Sequence, residues 1–384
     1  MKSIGILGSS GSVGRQTLEV CRWFPEELRV CALAAGRNWR LLAAQAKEFQ
    51  PQLVALADES AYLELKAELS GLPLEISVGE EGLTAAATQP AADLILSAIS
   101  GIAGLKPAFA ALRAAKQLAL ANKEVLVAAG ALATEAARES NTHILPVDSE
   151  HSAIYQCLLG EAPPAQLILT ASGGPFRHKS AEELKTVTAA EALRHPTWKM
   201  GPKVTVDSAS LANKGLEVIE AHWLFGVDYD NIEVLIHPQS IVHSLVRFAD
   251  GSVKAQLGPA DMRLPIQYAL FFPARPPNPA ETLDLAASGS LDFARPDQER
   301  FPALALAYAA GRAGNSYTAA YNAANEVLGA AFLDGRIPFM AIGAGLETAL
   351  EAHEPRKLKD TGDVLNMDEE TRLYAEQFVA QNLL

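Results

Sequence analysis

Cysteine is scarce in this chain. Its three thiols, Cys21, Cys31 and Cys157, lie far apart, lack metal-ligand spacing and leave one over if paired, which argues against a disulfide framework and points to a reducing compartment. Basic residues are outnumbered, 32 Lys plus Arg against 45 Asp plus Glu, for a net charge of −13. That sign is wrong for a protein that coats nucleic acid or an anionic membrane, so an anionic ligand needs a local basic pocket. Long apolar runs are missing too: nowhere do about 18 uncharged apolar residues follow one another. The opening Met1-Lys2-Ser3-Ile4-Gly5 turns into a glycine-rich loop too early to hold a signal peptide's apolar stretch. A cytoplasmic, soluble protein without nucleic-acid or membrane partners is expected.

What is present is a globular composition, 49% hydrophobic over 384 residues with 27 Gly and 22 Pro spread along the chain, long enough for more than one folding unit. Short apolar or β-branched runs at 4–7, 29–34, 53–57, 94–99, 118–121 and 143–147 alternate with Ala- and Leu-rich helical patterns, the signature of a Rossmann-like parallel sheet covered on both faces. Later the rhythm changes. Strands are predicted at 167–170, 203–206, 234–236, 242–248 and 252–256 with fewer helices between them, as in an α+β domain. Pro273, Pro276, Pro277, Pro279 and Pro296 then suit an extended connection. From Pro302 onward helical spacing dominates, broken near Gly335 and at 355–362, which predicts a closing helical bundle. The expected division is a dinucleotide-binding domain at 1–148, a catalytic and connective domain at 149–272, a linker at 273–300 and a helical domain at 301–384.

The first predicted strand runs directly into Gly5-Ile6-Leu7-Gly8-Ser9-Ser10-Gly11-Ser12-Val13-Gly14 and then into a helical pattern at 16–23. Glycines let the backbone approach a pyrophosphate, and the N–H groups and dipole of the helix start hold its charge. An ordinary strand-to-helix turn is the bland alternative, because the triplet is spaced GxxGxxG instead of GxGxxG. NAD-binding versions carry a carboxylate about 20 residues on. Here the second strand ends Ala34-Ala35-Gly36-Arg37-Asn38, and Arg37 with Asn38 can engage a 2′-phosphate, so NADP(H) is predicted. A solvated arginine at a helix start would read the same way.

Carboxylates gather in two places. Asp148-Ser149-Glu150-His151 follows a predicted strand end, and Glu217 and Glu220 stand three apart on one helical face. Oxygen-only ligands of this kind select Mg2+ or Mn2+; equally, Asp148 or Ser149 can cap a helix and Glu217 can be a surface charge. Hydroxyls, an amide and an ammonium collect in Thr170-Ala171-Ser172-Gly173-Gly174-Pro175-Phe176 and in Asp207-Ser208-Ala209-Ser210-Leu211-Ala212-Asn213-Lys214-Gly215, donors suited to a phosphate monoester. Between them His195-Pro196-Thr197-Trp198-Lys199-Met200-Gly201-Pro202 can form a lid over a site or a loop whose indole is core. Lys123, in Asn122-Lys123-Glu124, follows another strand end. His237 and His243 flank a turn and receive no catalytic role.

Taken in order, residues 8–14, 121–124, 147–151, 171–176, 195–201, 206–221, 237–244 and the Asn322-Ala323-Ala324-Asn325-Glu326 run resemble the 1-deoxy-D-xylulose 5-phosphate reductoisomerase family over nearly the whole chain. One departure is Ala260 before Asp261, where that family usually has proline. The resemblance implies a homodimer that uses NADPH to make 2-C-methyl-D-erythritol 4-phosphate for isoprenoid biosynthesis by the non-mevalonate route. It implies a divalent cation held by Asp148, Glu150 and Glu217, counted with Lys123 as the catalytic residues. Substrate would meet Lys123, Ser149, Glu150, Ser172, His195, Ser208, Asn213, Lys214 and Glu217. Ser10, Gly11, Ser12, Val13, Gly36, Arg37, Asn38, Asn122, Glu124 and Gly201 would line the cofactor site.

The residue chemistry is compatible with this. A Lewis acid chelated by a ketone and its neighbouring hydroxyl favours skeletal rearrangement to an aldehyde, which hydride then reduces. A metal-assisted NADP-dependent dehydrogenase that decarboxylates a hydroxy acid, or a silent dinucleotide sensor, would also explain the glycine loop. Neither needs two phosphate clusters together with three oxygen ligands.

Overall fold

The protein is described by a computed structural model that covers residues 1–198 and 200–383. Its chain divides into two compact units. The first gathers Met1–Val125, Ala133–Ser152 and Asp261–Ala280 around seven strands: β1 Lys2–Leu7, β2 Leu28–Ala35, β3 Leu53–Leu56, β4 Glu75–Val78, β5 Leu94–Ser97, β6 Gln117–Leu120 and β7 Ile144–Pro146. All neighbours pair in parallel, in the order β4-β3-β2-β1-β5-β6-β7. Ile4, Ile6, Leu33, Val54, Leu56, Leu94 and Ile95 are fully buried, as strands covered on both faces require. Strand order reverses between β1 and β5, and such a switch point opens the ligand crevice of an open α/β sheet. The chain leaves β1 there through Gly8 at φ 88°, where a Cβ would stand 2.4 Å from the Ala98 carbonyl oxygen. Only glycine makes that turn without displacing the backbone after β5.

Strand β4 was not foreseen. Its residues Glu75-Ile76-Ser77-Val78 are exposed or half-buried at the sheet edge, so the apolar run that marks the inner strands is missing. The turn at Ala260 needs no proline. Asp261 Oδ1 accepts the Arg263 N–H at 2.9 Å and the carboxylate takes the guanidinium as well, which anchors the start of the helix Arg263–Phe271.

The second unit comprises Leu126–Leu132, Ala153–Ala260 and Glu281–Leu384. Its sheet has the order β11-β10-β8-β9, built from β8 Gln166–Ala171, β9 Ile232–Ile236, β10 Val242–Arg247 and β11 Val253–Leu257. β8 and β9 are parallel and the other pairs antiparallel. The helices Ala303–Ala313, Tyr317–Leu333, Met340–Glu351 and Thr361–Gln381 form the bundle, and Leu304, Tyr321, Leu328 and Leu346 share one core with Leu167 and Leu169 of β8. Residues 273–300 hold neither helix nor strand beyond a single bridge between Ile236 and Ala294. The Asn322-to-Glu326 run lies inside the helix Tyr317–Leu333, where Asn325 donates to Asp207 at 2.9 Å and Glu326 pairs with Arg372.

One predicted strand is corrected. Residues 203–206 belong to the helix Pro202–Ala209. β-Branched Val204, Thr205 and Val206 suggested extension, but Pro202 at the first helical position fixes a helical φ. The Thr205 hydroxyl then bonds the Gly201 carbonyl at 2.9 Å, and Lys203 pairs with Asp207 one turn on at 2.9 Å. Tertiary burial of Thr205, Val206 and Asp207 outweighs the local preference.

Candidate active site

In the first unit the loop 8–11 delivers the helix Ser12–Trp23, capped by Gly11 without any side-chain hydrogen bond and with no acidic residue in its first turn. Its first-turn N–H groups and positive dipole end suit an anion at Ser10, Gly11, Ser12 and Val13. Beyond β2, Gly36 has no atom within 4 Å of where a Cβ would lie. The Arg37 side chain is 92% exposed, with Asp58 at 3.8 Å. Asn38 Oδ1 accepts the Leu41 N–H at 3.1 Å and caps the helix Trp39–Phe49, which keeps its Nδ2 as the donating group.

Strands β6 and β7 are neighbours, so the residues that follow them meet. The Lys123 ammonium forms an ion pair with the Asp148 carboxylate, the two side chains only 9% and 15% exposed. Asp148 Oδ1 also takes the Ser149 N–H at 2.9 Å, and the Asp148 carbonyl takes the Ser152 N–H at 2.8 Å. Asp148 therefore does stand at the start of the helix Ser149–Leu158, with its charge turned to a lysine as well as to a backbone donor. The Ser149 hydroxyl donates to Glu150 at 2.5 Å. Next to Lys123, Asn122 ties the loop after β5 by donating to the carbonyls of Ile99 and Gly101, while its buried Oδ1 has no partner. Glu124, the first residue of the helix Glu124–Glu139, is buried.

In the second unit one imidazole organises two hydroxyls. His195 Nδ1 accepts the N–H groups of Thr197 at 3.2 Å and Trp198 at 2.9 Å, so the ring proton sits on Nε2, which lies 3.0 Å from Ser172 Oγ and 3.2 Å from Ser208 Oγ. Ser172 Oγ also accepts the Gly174 N–H at 3.3 Å. With both acceptor positions taken, its own proton is what Ser172 offers a ligand. Burial first, and then the charge of Arg177, hold the His195 pKa below the ordinary histidine value, favouring this neutral form. Gly174, at φ 66°, brings the turn against the helix Pro202–Ala209, where a Cβ would lie 2.7 Å from the Ser208 carbonyl.

Asp207 and Ser208 occupy the last turn of that helix, and Asn213 and Lys214 the first turn of the helix Ala212–Phe225, so this cluster is two helix ends joined at Leu211, which takes φ 61°. Asn213 and Lys214 each bond one oxygen of Glu217. The Lys214 and Glu217 side chains are 4% and 1% exposed, which removes the surface-charge reading of Glu217. Glu220 is fully buried on the same helix. Gly201 caps the helix Pro202–Ala209 with open space around its α-carbon. Trp198 is half-buried, which disfavours a core indole; Lys199, part of the same segment, lies outside the described residues. Arg177 was missed by the sequence reading. Its place directly after the 170–176 cluster was the available signal, and its Nε is buried without a partner.

Known proteins resemble this chain along nearly its whole length. Models of 1-deoxy-D-xylulose 5-phosphate reductoisomerase match residues 4–130, of its C-terminal domain residues 144–225, and of a further DXP reductoisomerase C-terminal domain residues 257–374. A 1-deoxy-D-xylulose 5-phosphate reductoisomerase from Heliobacterium modesticaldum is 55% identical, covering 99% of this chain and 98% of its own. The solved structure of the Zymomonas mobilis enzyme in complex with NADPH is 43% identical with a TM-score of 0.92, covering 98% of this chain and 99% of that one. A DOX-P reductoisomerase solved with NADPH, fosmidomycin and magnesium is 38% identical with a TM-score of 0.95, covering 99% of this chain and 98% of that one.

Proposed function

The chain belongs to the 1-deoxy-D-xylulose 5-phosphate reductoisomerase family, and we propose that it converts 1-deoxy-D-xylulose 5-phosphate to 2-C-methyl-D-erythritol 4-phosphate with NADPH and Mg2+ or Mn2+. The observation that carries this reading is the His195 centre, two serine hydroxyls gathered on a neutral imidazole, in a chain that aligns end to end with such enzymes. Residues 1–148 bind NADPH, and 149–272, together with Lys123 and Asp148, carry the chemistry. The working form is a cytoplasmic homodimer.

The residues fit both groups. NADPH suits the uncapped helix start, the exposed Arg37 guanidinium and the buried Asn122 Oδ1 that awaits a donor. A hard cation suits the all-oxygen set Asp148, Glu150 and Glu217, two of whose charges already attract lysines. When bound, the metal supplies a Lewis acid for the ketone and its neighbouring hydroxyl, and NADPH supplies hydride.

The chain's own residues do the rest. Ser172 and Ser208 donate hydroxyl protons to the phosphate, His195 holds them in place, and Asn213 and Lys214 add an amide and a positive charge. Fixing the phosphate at this remote end supplies binding energy that orients the reacting carbons. Lys123, beside Asp148, holds a proton near the substrate hydroxyl, and Ser149 lies alongside with its hydroxyl turned to Glu150. The segment 195–198, folded onto His195 through two backbone N–H groups, excludes water when it closes.

The test is NADPH oxidation with 1-deoxy-D-xylulose 5-phosphate and Mg2+ or Mn2+, run beside hydroxy-acid oxidation with NADP+. Turnover only with the sugar phosphate, abolished by chelator and by fosmidomycin, is expected. Failure to consume NADPH under these conditions refutes the reading; a monomer by light scattering refutes the dimer.

A further inference from the structure

His237 is fully buried, and both ring nitrogens are engaged. Nε2 accepts the backbone N–H groups of Ile241 at 3.2 Å and Val242 at 3.1 Å, so the ring proton is on Nδ1, which donates to the Asp292 carbonyl at 2.9 Å. The ring lies flat on Phe293, centroids 4.6 Å apart at 14°. Its backbone N–H donates to the carbonyl of Ala171 at 2.7 Å, the residue before Ser172. The turn that its Nε2 gathers in touches the segment carrying His195. Thr197 Oγ1 reaches the Pro238 carbonyl at 3.5 Å, and the Trp198 and His243 rings are 6.1 Å apart. Within that turn Ser240 sits at φ 51°, a left-handed conformation that a residue with a side chain holds only when its surroundings fix it.

We propose that His237 is a positioning residue for the phosphate-binding cluster. Through Nε2 it fixes the turn 238–242 on which the segment 195–198 rests, and through its backbone it fixes Ala171 ahead of Ser172. This rests on the phosphate reading of Ser172, His195 and Ser208.

Two substitutions divide the ring's functions. His237→Gln puts an amide oxygen near the place of Nε2 and can still accept from Ile241 and Val242. His237→Asn puts an amide near the place of Nδ1, keeps the bond to Asp292, and leaves the half-buried Ile241 N–H and the buried Val242 N–H without an acceptor. The expected result is a roughly tenfold rise in KM for 1-deoxy-D-xylulose 5-phosphate in His237→Asn, substantially rescued in His237→Gln, with the NADPH dissociation constant unchanged in both. Thr197→Val, which cuts only the contact to Pro238, should raise the same KM about threefold without moving the melting temperature. It decides the matter if His237→Asn does not fold. Ser172→Ala is measured in parallel. An unchanged KM there overturns the phosphate reading and this inference with it, whereas a raised KM in Ser172→Ala with wild-type values in Thr197→Val and in any folded His237→Asn overturns the positioning role alone.

Discussion

Lys214→Ala separates two duties of one ammonium. In the folded chain Lys214 and Glu217 form an ion pair with 4% and 1% of their side chains exposed. Removing one partner of such a pair strands the other charge and costs about 3–5 kcal/mol. Asn213 still bonds one Glu217 oxygen, which places the expected loss nearer the lower figure. The second duty is the proposed one toward phosphate. A charge-assisted contact is worth about 1.5–3 kcal/mol, or roughly a 10- to 150-fold change in affinity. The KM for 1-deoxy-D-xylulose 5-phosphate should therefore rise by that factor while the NADPH dissociation constant stays put, because the glycine loop belongs to the other unit. Urea unfolding of Lys214→Ala and of Lys214→Ala/Glu217→Gln reads the first duty: neutralising the stranded carboxylate should return most of the lost stability. Steady-state NADPH oxidation by the single variant reads the second. A KM within about twofold of wild type, or an NADPH affinity that falls as far as the substrate's, would refute the reasoning.

Three other outcomes follow from the geometry. Burial and Arg177 depress the His195 pKa, so the unfolded chain takes up that proton near pH 6.5 while the folded chain resists it. The stability contribution is whole above about pH 6.5 and is lost as the pH falls from there toward the depressed value; His195→Gln should flatten that part of the stability profile, and an unchanged slope would count against the depressed pKa. Gly8→Ala forces a side chain onto φ 88° and to 2.4 Å from Ala98 O, so a lower melting temperature and NADPH binding weakened at least about tenfold are expected in fluorescence titration, with at least 1–2 kcal/mol coming from the dihedral alone. Arg37→Ala should weaken NADPH about tenfold and NADH hardly at all, with stability within about 0.5 kcal/mol of wild type because the side chain is 92% exposed; equal losses for both nucleotides would remove the 2′-phosphate role.

Much of the architecture is readable from the sequence because inner parallel strands are apolar on both faces. β1, β2, β3, β5 and β6 announce themselves as short buried runs. β4 has no such run, since an edge strand with exposed Glu75 is covered on fewer sides. The helix at 202–209 fails for the opposite reason. Its β-branched residues are correct for a strand in isolation, and beside the local Pro202 start and the Lys203–Asp207 pair, burial that includes the bond of Asp207 with Asn325, 118 residues away, favours the helix. A pattern read over ten residues cannot contain that partner.

For the site, residue types were readable and relationships were not. Nothing in His195-Pro196-Thr197-Trp198 says which imidazole nitrogen carries the proton; that depends on two backbone N–H groups turning back onto Nδ1. Once they do, Nε2 carries the ring's one proton, shared between the Ser172 and Ser208 hydroxyls, and Ser172, which also accepts from Gly174, keeps a proton of its own to donate. The same logic separates Glu217 from an ordinary surface glutamate. Helical spacing places it one turn from Asn213 and Lys214, but only its burial makes the ammonium obligatory. On the proposed reading an acidic chain can thus hold a phosphate beside carboxylates: the lysine that would bind the anion is kept in place beforehand by a carboxylate that itself cannot be left bare.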